Sequence, residues 1–245
     1  MIDLLSAELL KLRTTRTVWL LLAGMLALTT LAVIGAITLA GNANLDLETE
    51  RGVRTVLHVS ASGAVFVLVL GVIISAGEYR QRTATDTFLT TPQRWRVIAT
   101  KLVTGAAAGI VFGALAAGIA LAVANHVYAL KGYAFPLESS EAWSILGGAV
   151  LYAALFGALG AATGSLVRNQ VGVIVGWLVW LLLAENIVVG LAPGIGRWLP
   201  GAAGRALVRD PNGDFLSQPA AAVVLAVYVV TIAAAAIVVE RWRDA

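Results

Sequence analysis

Uncharged apolar runs of eighteen residues or more recur along this chain, and they constrain its fold more than any motif does. A run of that length crosses the hydrocarbon core of a bilayer as a helix, since the core offers the backbone no water to bond. Only 13% of the 245 residues are charged, about half the usual share of a soluble domain. The sequence therefore reads as an all-α membrane protein in one transmembrane domain, multi-pass in the cell membrane. It has no repeat of 20 to 50 residues and no linker to a second domain.

Six spans are predicted, at residues 17–40, 59–76, 97–124, 143–167, 171–191 and 220–239. At 24 residues the first run is long for a signal peptide. The second helix starts ahead of its apolar core, because Val53, Val56 and Leu57 already share a face. Basic residues set the orientation. Lys11, Arg13, Arg16, Arg80, Arg82, Arg94, Arg96, Lys101, Arg168, Arg241 and Arg243 fall on one side. Arg51, Arg54, Lys131, Arg197, Arg205 and Arg209 fall on the other. The richer side holds both termini and is expected to be cytoplasmic.

The net charge of +3 is read as this orientation signal rather than as a nucleic-acid surface. Without cysteine, disulfides and thiolate metal sites are excluded. No Gly-rich phosphate loop, His-Glu-x-x-His or nucleophile motif occurs, so the chain is not expected to be an enzyme or to hold a cofactor or metal. His58 and His126 lie near the outer membrane edge, where a histidine serves as an amphipathic anchor.

Three segments depart from plain spans. Residues 1–16 place Ile2, Leu5, Leu9 and Leu12 on one helical face, with Asp3, Glu8, Lys11 and Arg13 off it. That is the pattern of an interfacial helix, the other reading being a basic flank. Residues 77–96 are highly polar and carry their own helix signals. Thr83 and Asp86 form a capping box, Ala84, Phe88 and Leu89 make an apolar stripe, and Pro92 stops the helix. Thr91 is the expected cap of the next span. Residues 192–219 are too apolar for a free loop and too rich in Pro and Gly for a span, so they read as a re-entrant or interfacial hairpin on the outer side.

Small residues mark close packing. Gly105, Gly109 and Gly113 stand at four-residue spacing in the third span, as do Gly160 and Gly164 in the fourth. Ser140 is the expected cap of the fourth span. Arg168, Asn169 and Gln170 make a tight turn, and Asp210-Pro211-Asn212-Gly213 another. Two carboxylates stand near the bilayer. Glu185, followed by Asn186, is either an intramembrane functional group or an interfacial residue on a helix that ends early. Glu78 lies at the inner edge, where it pairs across helices or sits in a solvated ion pair.

Three stretches together resemble the permease subunits of type-2 ABC exporters of the actinobacterial type: LLSAELLKLRTTRTVW at the start, GEYRQRTATDTFLTTPQRWRVIATKL after the second span, and LVRNQVGVIVGWLVW at the fourth-to-fifth turn. The resemblance implies an N-terminal elbow helix and an outer re-entrant segment. It implies a coupling helix that docks on separate ATPase subunits through Glu78, Tyr79, Arg80, Thr83, Asp86, Phe88 and Leu89. ATP and Mg would be bound by those partner subunits. A second permease chain, identical or homologous, would complete the pathway, chiefly through the first and fifth spans. Trp177, Trp180, Glu185 and Asn186 are the pathway candidates, although tryptophans at such depth more often face lipid. Two other functions stay open: an ATPase-independent membrane binding or immunity protein, and a proton-coupled carrier, which would want more intramembrane carboxylates than Glu185 alone.

Overall fold

The computed structural model describes residues 2–42, 49–81, 93–136 and 138–242, with the main chain alone at 2–4, 41–42, 78–81, 94 and 241. Among these residues every regular element is helical. In chain order they are α1 (Ile2–Thr14), α2 (Arg16–Asn42), α3 (Glu50–Leu57), a 3-10 segment (His58–Gly63), α4 (Ala64–Gln81), α5 (Arg94–Leu130) and α6 (Ser140–Val167). Then follow α7 (Gln170–Val179), a π turn (Trp180–Ala184), α8 (Glu185–Leu191), α9 (Pro193–Gly196), α10 (Pro200–Leu207) and α11 (Gln218–Trp242). Six stretches are long and apolar enough to cross a membrane: Arg16–Ala40, Glu50–Gly77, Trp95–Leu130, Ser140–Val167, Gln170–Leu191 and Gln218–Glu240.

An even number of crossings returns the chain to the face it started from. Ion pairs tie the helix ends together on each face. On the face of the termini, Arg168 pairs with Glu240, and Glu8 lies 4.0 Å from Lys101. On the distal face, Glu141 receives both Arg54 and Arg209.

Span four, α6, is the axis of the fold. Its outline is set by glycine and alanine, which let neighbouring backbones come within van der Waals range. A Cβ at Gly157 would lie 2.2 Å from the carbonyl oxygen of Gly105 in α5, and one at Gly160 would lie 2.1 Å from that of Leu68 in α4. The ladder of Gly105, Gly109 and Gly113 faces this helix, against Gly157, Ala153 and Val150. The small-residue ladders are thus spent inside the chain.

The helices outrun the apolar stretches that announce them. α4 continues through Glu78–Gln81 and α5 starts at Arg94, so the polar connection is shorter than residues 77–96. Apolar length measures bilayer depth, and a helix carries on past it while its residues favour helix. Gln93, without a side-chain bond, occupies the cap position of α5 in place of Thr91. Ser139 rather than Ser140 caps α6, accepting from the Ala142 amide. Arg168, at φ 58°, reverses the chain after α6, and Asn169 caps α7. In the Asp210 turn, Asp210 Oδ1 accepts from the Asn212 amide at 2.9 Å.

The N-terminal helix is rotated from its expected setting. Glu8 is 7% exposed, while Leu9 and Leu10 are exposed at 43% and 62%. The apolar stripe placed Glu8 on the outside. It turns inward because Lys101, itself buried, stands opposite and also donates to the Ile74 carbonyl at 3.1 Å. Lys11 adds a second cation at 2.9 Å.

Candidate functional site

Span five is built unlike the others. Asn169 Oδ1 caps its first turn through the Gly172 amide at 3.0 Å. α7 then runs to Val179 and widens into the π turn, where the Glu185 amide bonds the Trp180 carbonyl five residues back. A π turn inserts one residue and loosens the carbonyl ladder around it. Asn186 repairs the ladder: its Nδ2 donates to Leu181 O at 2.9 Å and to Leu182 O at 3.1 Å. The helix does not end at Glu185 but continues to Leu191.

The wider turn aims Glu185 inward. Its carboxylate is 1% exposed and accepts from the amides of Gly201 and Ala202. Those amides open α10, whose first residue is Pro200 and whose preceding residue, Leu199, has no side chain able to cap. The first amides of a helix have no partner within it and favour a negative charge. Glu185, 16 residues earlier in the chain, supplies both acceptors. α10 itself is held firmly: Ala202, Ala203 and Leu207 are buried, and Gly204 lies under the ring of Tyr152 in span four.

Two cavities flank this junction. One, of about 330 Å³, lies between the 3-10 segment, span four, the π turn and α10. Its walls include His58, Tyr152, Glu185, Asn186, Arg205 and Asp210. The other, of about 390 Å³, is an apolar groove between spans four, five and six, lined by Thr163, Val173, Gly176, Trp177, Trp180 and Tyr228 among others. Trp177 points its Nε1 into the body, donating to Thr163 Oγ1 at 3.1 Å.

The four pathway candidates therefore separate. Trp177 and Trp180 line the groove, whereas Glu185 and Asn186 line the mixed cavity. Of the expected coupling residues, Thr83, Asp86, Phe88 and Leu89 lie outside the described residues, as do Thr91 and Pro92. Glu78, Tyr79 and Arg80 belong to the last turn of α4, where the main chain alone is described.

Sequence reasoning missed a polar network on the distal face. Glu141 is buried and binds Arg209 of the turn after α10, with Arg54 of α3 on its other oxygen. Arg209 Nε donates to Gln218 Oε1 at 3.0 Å, and Ser144 Oγ donates to the same oxygen at 2.8 Å. Gln218 Nε2 donates to the Leu207 carbonyl at 2.6 Å. A signal was present: Glu141 is the acid at the start of a span on a side otherwise supplied with arginines. Among the described residues no group of three or more potential metal ligands gathers.

Fold and site define an all-helical chain of the multi-pass membrane type, with a carboxylate buried at a break in its fifth span. No family model, no curated protein and no solved structure matches the chain.

Proposed function

We propose that this chain is the membrane-spanning permease subunit of an ATP-driven type-2 ABC exporter, acting as a dimer with separate ATPase subunits. The observation that carries the reading is the uneven coverage of the six spans. Of the most apolar stretch of each span, 72% is buried within the chain in span four, but only 22% in spans one and six and 11% in span five. Span five also exposes Gly172 and Gly176, four residues apart, with open space over Gly176 and the capping Asn169 side chain beside Gly172. Small residues at that spacing suit close approach by another helix. A second permease chain seated on spans one and five would place the Trp177–Trp180 groove near the seam.

Two further features fit. An amphipathic helix precedes span one and is tied to span three through Glu8 and Lys101. A broken helical hairpin, α9 and α10, joins spans five and six on the distal face. In this reading the terminal face is cytoplasmic, α1 is the elbow, and the hairpin is the re-entrant closure of the outer side. ATP-driven approach of the two ATPase subunits would push on residues 83–90 and rock the spans between inward and outward access.

The test is purification of the tagged chain from its native membrane in mild detergent. A stoichiometric ATPase subunit is expected with it. In the Phe88→Asp, Leu89→Asp double variant that subunit and substrate-stimulated ATP turnover are expected to be lost. Turnover unchanged in the double variant would remove the coupling assignment. A chain that purifies without any ATPase, in nanodiscs as well as detergent, would remove the exporter reading.

A further inference from the structure

The proximal half of span five is anchored on the rest of the chain by Val173 and by Trp177, which bonds Thr163, whereas in α8, beyond the π turn, the buried side chain is Glu185. The five residues of the π turn between them include none that is buried. The partner of Glu185, by contrast, does not belong to span five's own mobile half. α10 is packed on spans four and six, with Gly204 under Tyr152 and Ala202 and Ala203 fully buried. A helix with a weakened ladder in its middle, pinned at each end to a rigid body, is hinged at the weak point and released at a pin.

We propose that Glu185 is a positioning residue that acts as the catch of this hinge: while its carboxylate caps α10, the distal half of span five closes the cavity of about 330 Å³, and when the cap breaks that half swings away and opens it. Asn186 belongs to the same device, since it keeps the carbonyls of the π turn satisfied in the closed position. The inference stands apart from the exporter reading, because it requires no ATPase and no second chain.

Gly201 allows the catch to be broken from the opposite side. A Cβ at Gly201 would lie 2.8 Å from Glu185 Oε1, so Gly201→Ala displaces the carboxylate without changing any charge. The natural chain has no cysteine, so a single reporter thiol can be placed without other substitutions. Ala61 lines the cavity and is buried, which makes Ala61→Cys a suitable reporter.

The experiment measures the rate at which a polar maleimide labels Ala61→Cys in lipid nanodiscs, where both faces meet solvent. Alone, the reporter is expected to label slowly. With Glu185→Ala or Gly201→Ala the rate is expected to rise about tenfold or more, since bonds to two amides are lost. Glu185→Gln, which keeps one acceptor oxygen, is expected to fall between. Melting temperature is expected to move little, because α10 stays anchored on spans four and six. Labelling at the parent rate in folded Glu185→Ala and Gly201→Ala would overturn the proposal. So would failure of both variants to fold, which would make the carboxylate a fixed part of the scaffold.

Discussion

Spans four and five are similar in apolar character, yet they stand in opposite relations to the molecule. Span four is buried along most of its length, apart from a strip at Trp143, Gly147 and Leu151, and is built from glycine and alanine where another backbone crosses it. Span five presents valine, leucine and tryptophan outward along most of its length. Without a hydrophobic driving force inside a bilayer, packing quality decides which helices associate. Small residues in span four make that packing possible within the chain. Bulky residues in span five leave a helix held chiefly in its proximal half, by Val173 and the Trp177–Thr163 bond, and beyond the π turn by one carboxylate. Equal hydropathy therefore conceals an immobile axis and a loosely tethered arm.

The contrast breaks most sharply at Gly157. Gly157→Val would drive side-chain atoms into the Gly105 carbonyl, 2.2 Å from where the Cβ must sit. Overpacking of this kind costs about 3 kcal/mol. The expected outcome is loss of the monodisperse folded chain on size exclusion, and a melting temperature within a degree of the parent would contradict the role given to span four.

A middle-sized effect is expected on the distal face. Glu141→Gln leaves Arg54 and Arg209 without their shared carboxylate, at a cost of about 2 kcal/mol once the partial exposure of both arginines is allowed for. A double-mutant cycle with Arg209→Gln measures the coupling. Additive losses would mean that the turn after α10 is held by Gln218 rather than by charge.

The smallest effect is expected on span five's outward surface. Leu182 is 65% exposed, and Leu182→Ala should change the stability of the isolated chain by less than about 0.5 kcal/mol. A large loss in detergent would show that the arm is held more tightly than its burial indicates. A loss seen only at high protein concentration would point to a second chain on that face.

Much of the architecture was legible in the sequence, because bilayer thickness imposes a length on every span. Six spans, the start of the second helix ahead of its apolar core, the Arg168 turn and the broken segment after span five all follow from local composition. Helix ends were less legible. Glu78–Gln81 extend α4 although they are polar, since helix propensity does not stop where the bilayer does. The inward turn of Glu8 was hidden because its partner, Lys101, stands 93 positions away and no periodicity in α1 reports it. The Glu141 network was hidden for the same reason, with Arg209 68 residues distant. At Glu185 the sequence left two settings open. What it could not carry is the π turn, since WLLLA has no residue that demands one. The carboxylate's partners are backbone amides, which leave no mark in a sequence.

The pair between Arg168 and Glu240 has a consequence for how the molecule is made. The two residues are 72 positions apart, and Glu240 lies at the end of the last span. A chain emerging from the ribosome reaches Glu8 and Lys101 early, so its N-terminal helix can be joined to span three while synthesis continues. Arg168 must wait for the final turn of span six before this contact can form. A chain truncated within its last helix would lack this pair, and the fourth-to-fifth turn would lose its tie to the end of span six.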